Sequence, residues 1–330
     1  MRKHRQATFK VTLLLLVAVL VVGSINRSDC ETVSMTLSIG KTTYDVGDTA
    51  AIWGNVTANG GLVSDALVAI EVDNSAGTPL ILRTRATGTM PSSTLEILSV
   101  TPSDVTGNPV NNFTRGTLAY YKISLNNTGT SPQYVEVALN IFDSNNIAFE
   151  AFIVFNGLLY NGTTNILVSD PIPLDISSGN ATAYVSLLSA LPSLGGFAFC
   201  PEKSASVLIL GNSPPLNQSP EQPLPSSYNL TFLIDDYPTT RPFRAGKYTV
   251  NATCKYGNNT TSSSGTFEVV LLGDINGDGA VNILDAILLS DAFLATPSSS
   301  NWNPNADLNG DGVVNILDAI LLSNNFGRTA

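Results

Sequence analysis

The clearest pattern in this chain is the alternation of apolar and polar side chains over short stretches. Over residues 134–142, valine, leucine and isoleucine occupy every second position, with polar or small residues between them. Because successive side chains of a strand point to opposite faces of a sheet, this alternation predicts a strand with one buried face. Further strands are predicted at 119–125, 148–155, 181–187 and 205–210.

Two more groups of strands are predicted on either side of this region. The first lies within 33–90 and the second within 228–271. The strands of the first group are predicted at 35–39, 50–57, 66–73 and 79–85. Each group has about 50 residues, which is small for a stable core, whereas the two together have the size of one sandwich.

The sequence therefore predicts a mainly β chain with two immunoglobulin-like β-sandwich domains. We predict that 33–90 plus 228–271 form one discontinuous sandwich, and that 95–210 form a second sandwich inserted between its two pieces. The alternative is a row of separate units. Residues 211–227 contain five prolines and no strand pattern, which predicts a linker.

The first residues have the order of an export signal. Basic residues come first, an apolar run of about a dozen residues follows, and Gly23 and Ser24 end it. The run is short for a membrane-spanning helix, which needs about 20 apolar residues. We predict a cleaved signal peptide at 1–24, with an uncleaved anchor as the alternative, and no membrane span after cleavage. The protein would then be secreted and extracellular, either free or attached to a cell surface.

Composition agrees with an exported β protein. Charged residues make up only 13% of the chain, which favours strands joined by polar turns over amphipathic helices. The net charge of −10 repels nucleic acid, so we predict no nucleic-acid partner. Asparagines in sequons, such as Asn55 and Asn112, would carry glycans if the host glycosylates exported proteins.

Three cysteines, Cys30, Cys200 and Cys254, are too few for a fold that depends on disulfides. Export would permit one bridge, and Cys200 with Cys254 is the pair that we consider. Buried free thiols are the alternative, and the sequence does not decide between the two.

The tail of the chain contains a repeat with a different chemistry. Residues 274–293 return 33 residues later as residues 307–326, and 16 of the 20 positions are identical. In each copy, oxygen-bearing side chains stand at loop positions 1, 3, 5, 9 and 12, and glycine stands at position 6. This spacing lets one turn of backbone surround a hard cation with oxygen ligands. We therefore predict two calcium loops.

Each loop leads into an apolar helical segment, at 282–294 and at 315–326, but neither loop follows one. This order, the spacing and the aspartate at position 12 closely resemble the type I dockerin family. The resemblance implies that residues 272–330 form a small α-helical module with two calcium loop-helix repeats, which folds with its two Ca²⁺ ions.

Position by position, the resemblance implies one ion in each loop. The first would be held by Asp274, Asn276, Asp278, the carbonyl of Ala280, Asn282 and Asp285. The second would be held by Asp307, Asn309, Asp311, the carbonyl of Val313, Asn315 and Asp318. The loops contain no histidine or cysteine, which favours Ca²⁺ over a transition metal. Val281 and Val314, at position 8, are placed to bridge the two loops.

Dockerins bind cohesin domains, so the resemblance implies a cohesin-like partner. The two helices support this, because they are apolar almost all round and cannot bury all of that surface against each other. The positions that select the partner in many dockerins correspond to Ile283, Leu284, Ser290, Asp291, Ile316, Leu317, Ser323 and Asn324. The near identity of the halves implies docking in two orientations. The alternative is that calcium only rigidifies a C-terminal cap.

The β regions carry a more generic resemblance. Tyr44-Asp-Val-Gly-Asp48 is similar to the segment that leads into the second strand of immunoglobulin-like or macroglobulin-like modules. The stretches 245–250 and 266–269 are similar to the last strands of such a module. This resemblance favours the discontinuous first sandwich over separate units.

The sequence shows no catalytic pattern. The only histidine, His4, lies in the predicted signal, and acids such as Asp143 stand at predicted strand ends, where turn roles are common. We predict a non-catalytic structural or interaction protein. The alternative is a carbohydrate-binding or polysaccharide-degrading component of a cellulosome-like assembly, because a glycosidase needs only two carboxylates. Trp53 or Trp302 could then stack on a sugar.

Overall fold

The computed structural model describes residues 32–90, 92–211, 226–235 and 243–329. The predicted signal at 1–24 and Cys30 lie outside these residues, as does most of the predicted linker at 211–227. Half of the chain is strand and 9% is helix, with both helices near the C-terminus, which confirms the predicted mainly β class. Among the described residues, no helix is long and apolar enough to cross a membrane.

Most of the strands before residue 90 are short, with two to six residues each. In chain order they are β1 (Val33–Met35), β2 (Ser38–Ile39), β3 (Thr43–Asp45), β4 (Thr49–Gly54), β5 (Val56–Ala58), β6 (Gly61–Leu62), β7 (Leu67–Asp73) and β8 (Pro79–Ala86). All seven residues of β7 are buried, so both of its faces are covered.

The central region contains longer strands, and the C-terminal region ends in two helices. The central strands are β9 (Leu95–Ser103), β10 (Asn112–Thr114), β11 (Leu118–Asn127), β12 (Gln133–Phe142), β13 (Ala148–Leu159), β14 (Gly162–Pro171), β15 (Gly179–Leu188) and β16 (Lys203–Leu210). They are followed by β17 (Tyr228–Leu233), β18 (Gly246–Tyr256), β19 (Asn259–Val270), α1 (Ile283–Asp291) and α2 (Ile316–Asn325).

The first sandwich is built from strands that are distant in sequence. One sheet has the order β17-β4-β2, and the other has the order β3-β19-β18-β7-β8. Phe232 of β17 lies opposite Ala50 of β4, and Val250 of β18 lies opposite Val72 of β7. Strands from before and after the central region therefore share both sheets and one buried apolar core.

Two predicted strands of this sandwich are each divided in two. The prediction of single strands at 35–39 and 50–57 is wrong, because the chain changes sheets within each of them: β1 pairs with β5, whereas β2 pairs with β4. The backbones cross closely here, since the N–H of Thr36 donates to the carbonyl of Asn55 at 2.9 Å. A Cβ at Gly54 would lie 1.9 Å from the carbonyl oxygen of Thr36, so the crossing requires glycine.

The central strands form a second sandwich with its own buried core. A sheet with the order β14-β11-β9 packs on a sheet with the order β10-β16-β15-β12-β13. In β11, tyrosine, isoleucine and leucine side chains are buried at every second position, as the alternation predicts.

The edge strand β8 of the first sandwich is covered by the second sandwich. The N–H of Leu82 donates to the side-chain oxygen of Asn140 at 3.1 Å, and the N–H of Thr84 donates to the Glu202 carboxylate at 2.8 Å. Glu202 also accepts from the buried guanidinium of Arg83 at 2.7 Å. Backbone groups that an edge strand leaves unpaired are thus satisfied by side chains of the neighbouring sandwich.

The two cysteines among the described residues do not form a bridge. Cys200 is buried in the core of the second sandwich and Cys254 in the core of the first, and both are free thiols. The Cys200–Cys254 pairing that we considered is therefore wrong, because each thiol packs as a small apolar group in a different core. Burial raises the pKa of Cys200 to about 11 and that of Cys254 to about 12, which makes both thiols poor nucleophiles.

Candidate calcium centre and docking surface

Each helix of the tail begins with a capping box. In α1, the side-chain oxygen of Asn282 accepts the N–H of Leu284 at 2.8 Å, and the Asp285 carboxylate accepts the N–H of Asn282 at 2.8 Å. Asn315 and Asp318 make the same pair of bonds in α2. Loop positions 9 and 12 therefore start each helix as well as standing in the predicted ligand set.

The first loop is wrapped around the side chain of Asp274, at position 1. Its two oxygens accept backbone N–H groups of Gly277 at 2.9 Å, Asp278 at 3.1 Å and Gly279 at 2.9 Å. Gly279 has a φ of +84°, which favours glycine at position 6. The fully buried Asp285 closes the loop from the other side, since it accepts the N–H of Ile275 at 2.8 Å.

The second loop repeats this geometry. Asp307 accepts the N–H groups of Asp311 at 3.2 Å and of Gly312 at 2.9 Å, and Gly312 has a φ of +85°. The buried Asp318 accepts the N–H of Asn309 at 3.1 Å. The side-chain amide of Asn309 donates to Asp311 at 2.9 Å, and this bond lowers the pKa of Asp311 below its usual value. That carboxylate is therefore ionised and able to bind a cation at neutral pH.

The oxygen atoms of each loop suit a hard cation. One amide nitrogen, that of Asn315, lies 3.0 Å from the carbonyl oxygen of Val313 and 3.5 Å from a carboxylate oxygen of Asp311, so these predicted ligands converge. In the first loop, the Asn282 amide lies 3.3 Å from the carbonyl oxygen of Ala280. Carboxylate, amide and carbonyl oxygens are the donors that Ca²⁺ prefers, and the residues present fit this ion.

Carboxylates alone do not make either centre. Within the described residues, no three acidic, histidine or cysteine side chains are grouped closely enough to hold a metal ion. At position 12, the carboxylates of Asp285 and Asp318 accept backbone N–H groups of their own loops. A fit to calcium would therefore need amide and carbonyl oxygens as well as carboxylates.

The two halves of the tail brace each other crosswise. The N–H of Val281, in the first loop, donates to the backbone carbonyl of Arg328, beyond α2, at 2.9 Å. The N–H of Val314, in the second loop, donates to the backbone carbonyl of Ala295, beyond α1, at 3.0 Å. The valines share one small core, as expected of a bridge between the loops, but their backbones bond to the chain after the opposite helix.

The chain after α2 also contacts the first sandwich. The guanidinium of Arg328 donates to the carbonyl of Val46, in the turn between β3 and β4, at 3.2 Å. At its other end the tail follows β19 closely, since only three residues separate Val270 from Asp274. The tail is thus joined to the first sandwich through two segments.

An exposed apolar surface runs along both helices. Ile283 and Ile316, at equivalent positions, are each 62% exposed, and Leu284 and Leu317 are 52% and 51% exposed. The other predicted partner residues, Ser290, Asp291, Ser323 and Asn324, are exposed as well. The prediction missed Ile287, Ile320, Phe293, Phe326 and Leu294, which are also exposed. The four-residue spacing from Ile283 to Ile287 is a signal that could have identified the helical part of this set.

Among the residues considered for sugar binding or catalysis, Trp302 and Asp143 have structural roles. Trp53 and Trp302 are half-buried, and Trp302 packs against the core of the tail. Asp143 is buried, and its carboxylate accepts backbone N–H groups of Asn145 and Ile147 at 2.9 and 3.1 Å. Burial raises the pKa of Asp143, while these bonds hold the turn between β12 and β13.

Residues 272–327 match the family model of the dockerin type I domain, and this segment is a type I dockerin domain. No curated protein matches the chain. Among solved structures, the C-terminal domain of Wzt is 10% identical, with 40% of this chain and 85% of that chain covered and a TM-score of 0.31.

Two larger solved proteins are also similar in part. A β-glucosidase from Listeria innocua is 10% identical, with 36% of this chain and 16% of that chain covered and a TM-score of 0.24. A Salmonella alpha-2-macroglobulin variant is 10% identical, with 72% of this chain and 23% of that chain covered and a TM-score of 0.25. The present chain thus spans less than a quarter of either protein.

Proposed function

We propose that this protein is a non-catalytic interaction protein whose dockerin domain docks to a cohesin domain on a partner or surface scaffold. The observation that carries the proposal is the matched set of exposed apolar side chains on α1 and α2. Each of these helices directly follows one of the two predicted calcium loops. Such a continuous apolar surface is costly in water and is typical of a protein interface. The type I dockerin match supports a cohesin as the partner and a place in a cellulosome-like assembly.

We further propose that the domain binds two Ca²⁺ ions, one in each loop. The ligands would be the oxygens of Asp274, Asn276, Asp278, Ala280, Asn282 and Asp285, and of Asp307, Asn309, Asp311, Val313, Asn315 and Asp318. A bound ion would neutralise the carboxylates of its loop and hold its backbone in one shape. Ion binding is then coupled to folding and to the presentation of the exposed helices.

The β regions would position this domain. We propose one discontinuous sandwich made of 33–90 and 228–271, with 95–210 inserted in it, and the shared sheets support this division. We also propose that residues 1–24 direct secretion and that the mature protein acts outside the cell. Docking to a partner on the cell surface would then keep it there.

Calorimetric titration of the full chain with a type I cohesin domain tests the proposal. We expect binding in Ca²⁺ and its loss in a chelator. The double substitution of Asp274→Ala with Asp307→Ala should abolish binding, because it removes the carboxylate that organises each loop. Asp65→Ala, an exposed aspartate near β7, is the matched control and should leave binding unchanged. Binding that persists in the double variant would refute the proposed role of calcium.

A further inference from the structure

We propose that Leu294 makes the exposed apolar faces of the two helices unequal and directs the partner to α1. The α1 face consists of Ile283, Leu284 and Ile287, and the α2 face of Ile316, Leu317 and Ile320. This inference rests on the proposed docking function. Its basis is a comparison of two equivalent positions, because the repeat places Leu294 after the first helix and Gly327 after the second.

Leu294 and Gly327 perform the same structural task. Both have positive φ angles, of +66° and +90°. The N–H of Leu294 donates to the carbonyl of Val314 at 2.8 Å, and the N–H of Gly327 donates to the carbonyl of Val281 at 2.8 Å. Glycine is therefore sufficient to end a helix here and to brace the opposite loop.

Leucine at this position has two disadvantages for the fold. The left-handed backbone conformation is unfavourable for a side chain with a Cβ, and it is rare for leucine. The side chain is also 72% exposed, more than any other large apolar residue of the domain among those described. It therefore gains little from packing within the chain, and a contact with a partner accounts for its presence.

The other apolar residues of the two faces are nearly equal in exposure. Ile287 and Ile320 are 50% and 48% exposed, which continues the agreement already seen at the start of each helix. The exposed faces differ in two places: Asp291 of α1 corresponds to Asn324 of α2, and Phe293 and Leu294 after α1 correspond to Phe326 and a glycine after α2. The α1 face thus offers a longer apolar surface, and it fits a cohesin with an apolar pocket that receives Leu294.

Blocking one face at a time tests this inference. The probe is a type I cohesin domain titrated against the full chain in Ca²⁺, with Ile283→Asp to block the α1 face and Ile316→Asp to block the α2 face. These two positions have equal exposure, so each is the control for the other. We expect Ile283→Asp to weaken binding at least tenfold and Ile316→Asp to weaken it less than twofold.

Two substitutions at Leu294 separate docking from stability. Leu294→Gly removes the conflict between a Cβ and the positive φ angle, so it should raise the thermal midpoint of the domain. Leu294→Ala retains that conflict. Both remove the apolar atoms beyond Cβ, so both should weaken binding about tenfold and make the two face-blocking substitutions nearly equal in effect. If Leu294→Ala loses binding and the more stable Leu294→Gly does not, the inference is overturned.

The outcomes distinguish this inference from the proposed function. If the unmodified chain binds no cohesin in Ca²⁺, the proposed function fails and this inference fails with it. If the chain binds but Ile283→Asp and Ile316→Asp weaken binding equally, the docking function stands and the role of Leu294 is refuted.

Discussion

The two sandwiches and the dockerin domain are stabilised in different ways. Among the described residues, more than twenty buried apolar side chains form each sandwich core, whereas eight form the core of the tail. The tail also leaves isoleucine, leucine and phenylalanine side chains exposed on both helices. Burial of apolar surface can therefore hold the sandwiches, but the tail needs other sources of stability. Its loops and crosswise braces provide them.

The largest difference should appear when calcium is removed. In a chelator we expect residues 272–327 to lose their helical structure and the sandwiches to retain theirs, because the proposed calcium loops lie in the tail. Hydrogen exchange of the full chain, read region by region, checks this. Protection of α1 and α2 that survives chelation would show that the small core is sufficient.

The opposite result is expected from a change in a sandwich core. Phe232 is fully buried and stacks on Phe243 with ring centroids 5.4 Å apart. Phe232→Ala should lower the free energy of unfolding of the sandwich by about 3–5 kcal/mol, through lost burial and a cavity. Chemical denaturation measures this, and the loss should be the same with and without Ca²⁺. A loss that depended on calcium would show that the two regions unfold together.

An intermediate effect is expected from a buried carboxyl of β7 in the first sandwich. Burial, and then the neighbouring Glu71, raises the pKa of Asp73 to about 7. One oxygen of Asp73 has no hydrogen-bond partner among the described residues, and the other accepts from Asn251 at 3.1 Å. The protonated form is thus favoured in the folded protein. Its contribution to stability is complete below pH 3.8 and is lost as the pH rises through about 7.

We therefore expect the sandwiches to be less stable at pH 8 than at pH 5, by about 2 kcal/mol for this group. Asp73→Asn, which is neutral at every pH, should remove most of that difference. Thermal unfolding across this pH range measures it, with Asp65→Asn as an exposed control. An unchanged pH profile in Asp73→Asn would assign the dependence to other groups.

The smallest effect should distinguish the two calcium loops. Ending the chain at Phe326 removes the backbone partner of Val281 but leaves the bonds between Val314 and the chain after α1. We expect the affinity of the first loop for calcium to fall about tenfold, equivalent to about 1.4 kcal/mol, and that of the second loop to change little. Calcium titration followed by calorimetry resolves the two sites. Equal weakening of both would mean that the braces act as one unit.

Much of this molecule follows from short-range sequence patterns. Alternation located strands such as β11 and β12, and the repeated loop spacing located both loops of the dockerin domain together with the exposed residues at the start of each helix. These features depend on residues that are neighbours in the chain, so they can be predicted without knowledge of the fold.

The features that were missed depend on residues far apart in the chain. The crossing at Thr36 and Asn55, which divides two predicted strands, exists only once the two backbones meet. The bonds from Val281 to Arg328 likewise arise from the packing of one half of the tail on the other. The edge strand β14 was missed because its glycine, threonine and asparagine residues weaken the local signal, whereas pairing with β11 secures the strand.

The attachment of the tail at both of its ends has a mechanical consequence. Because β19 enters the domain and Arg328 donates to Val46, a rotation of the dockerin domain about residues 271–273 would break this hydrogen bond. A docked partner would be carried at a set angle to the first sandwich. The contact between Arg328 and Val46 would then set the direction in which the sandwiches project from the scaffold.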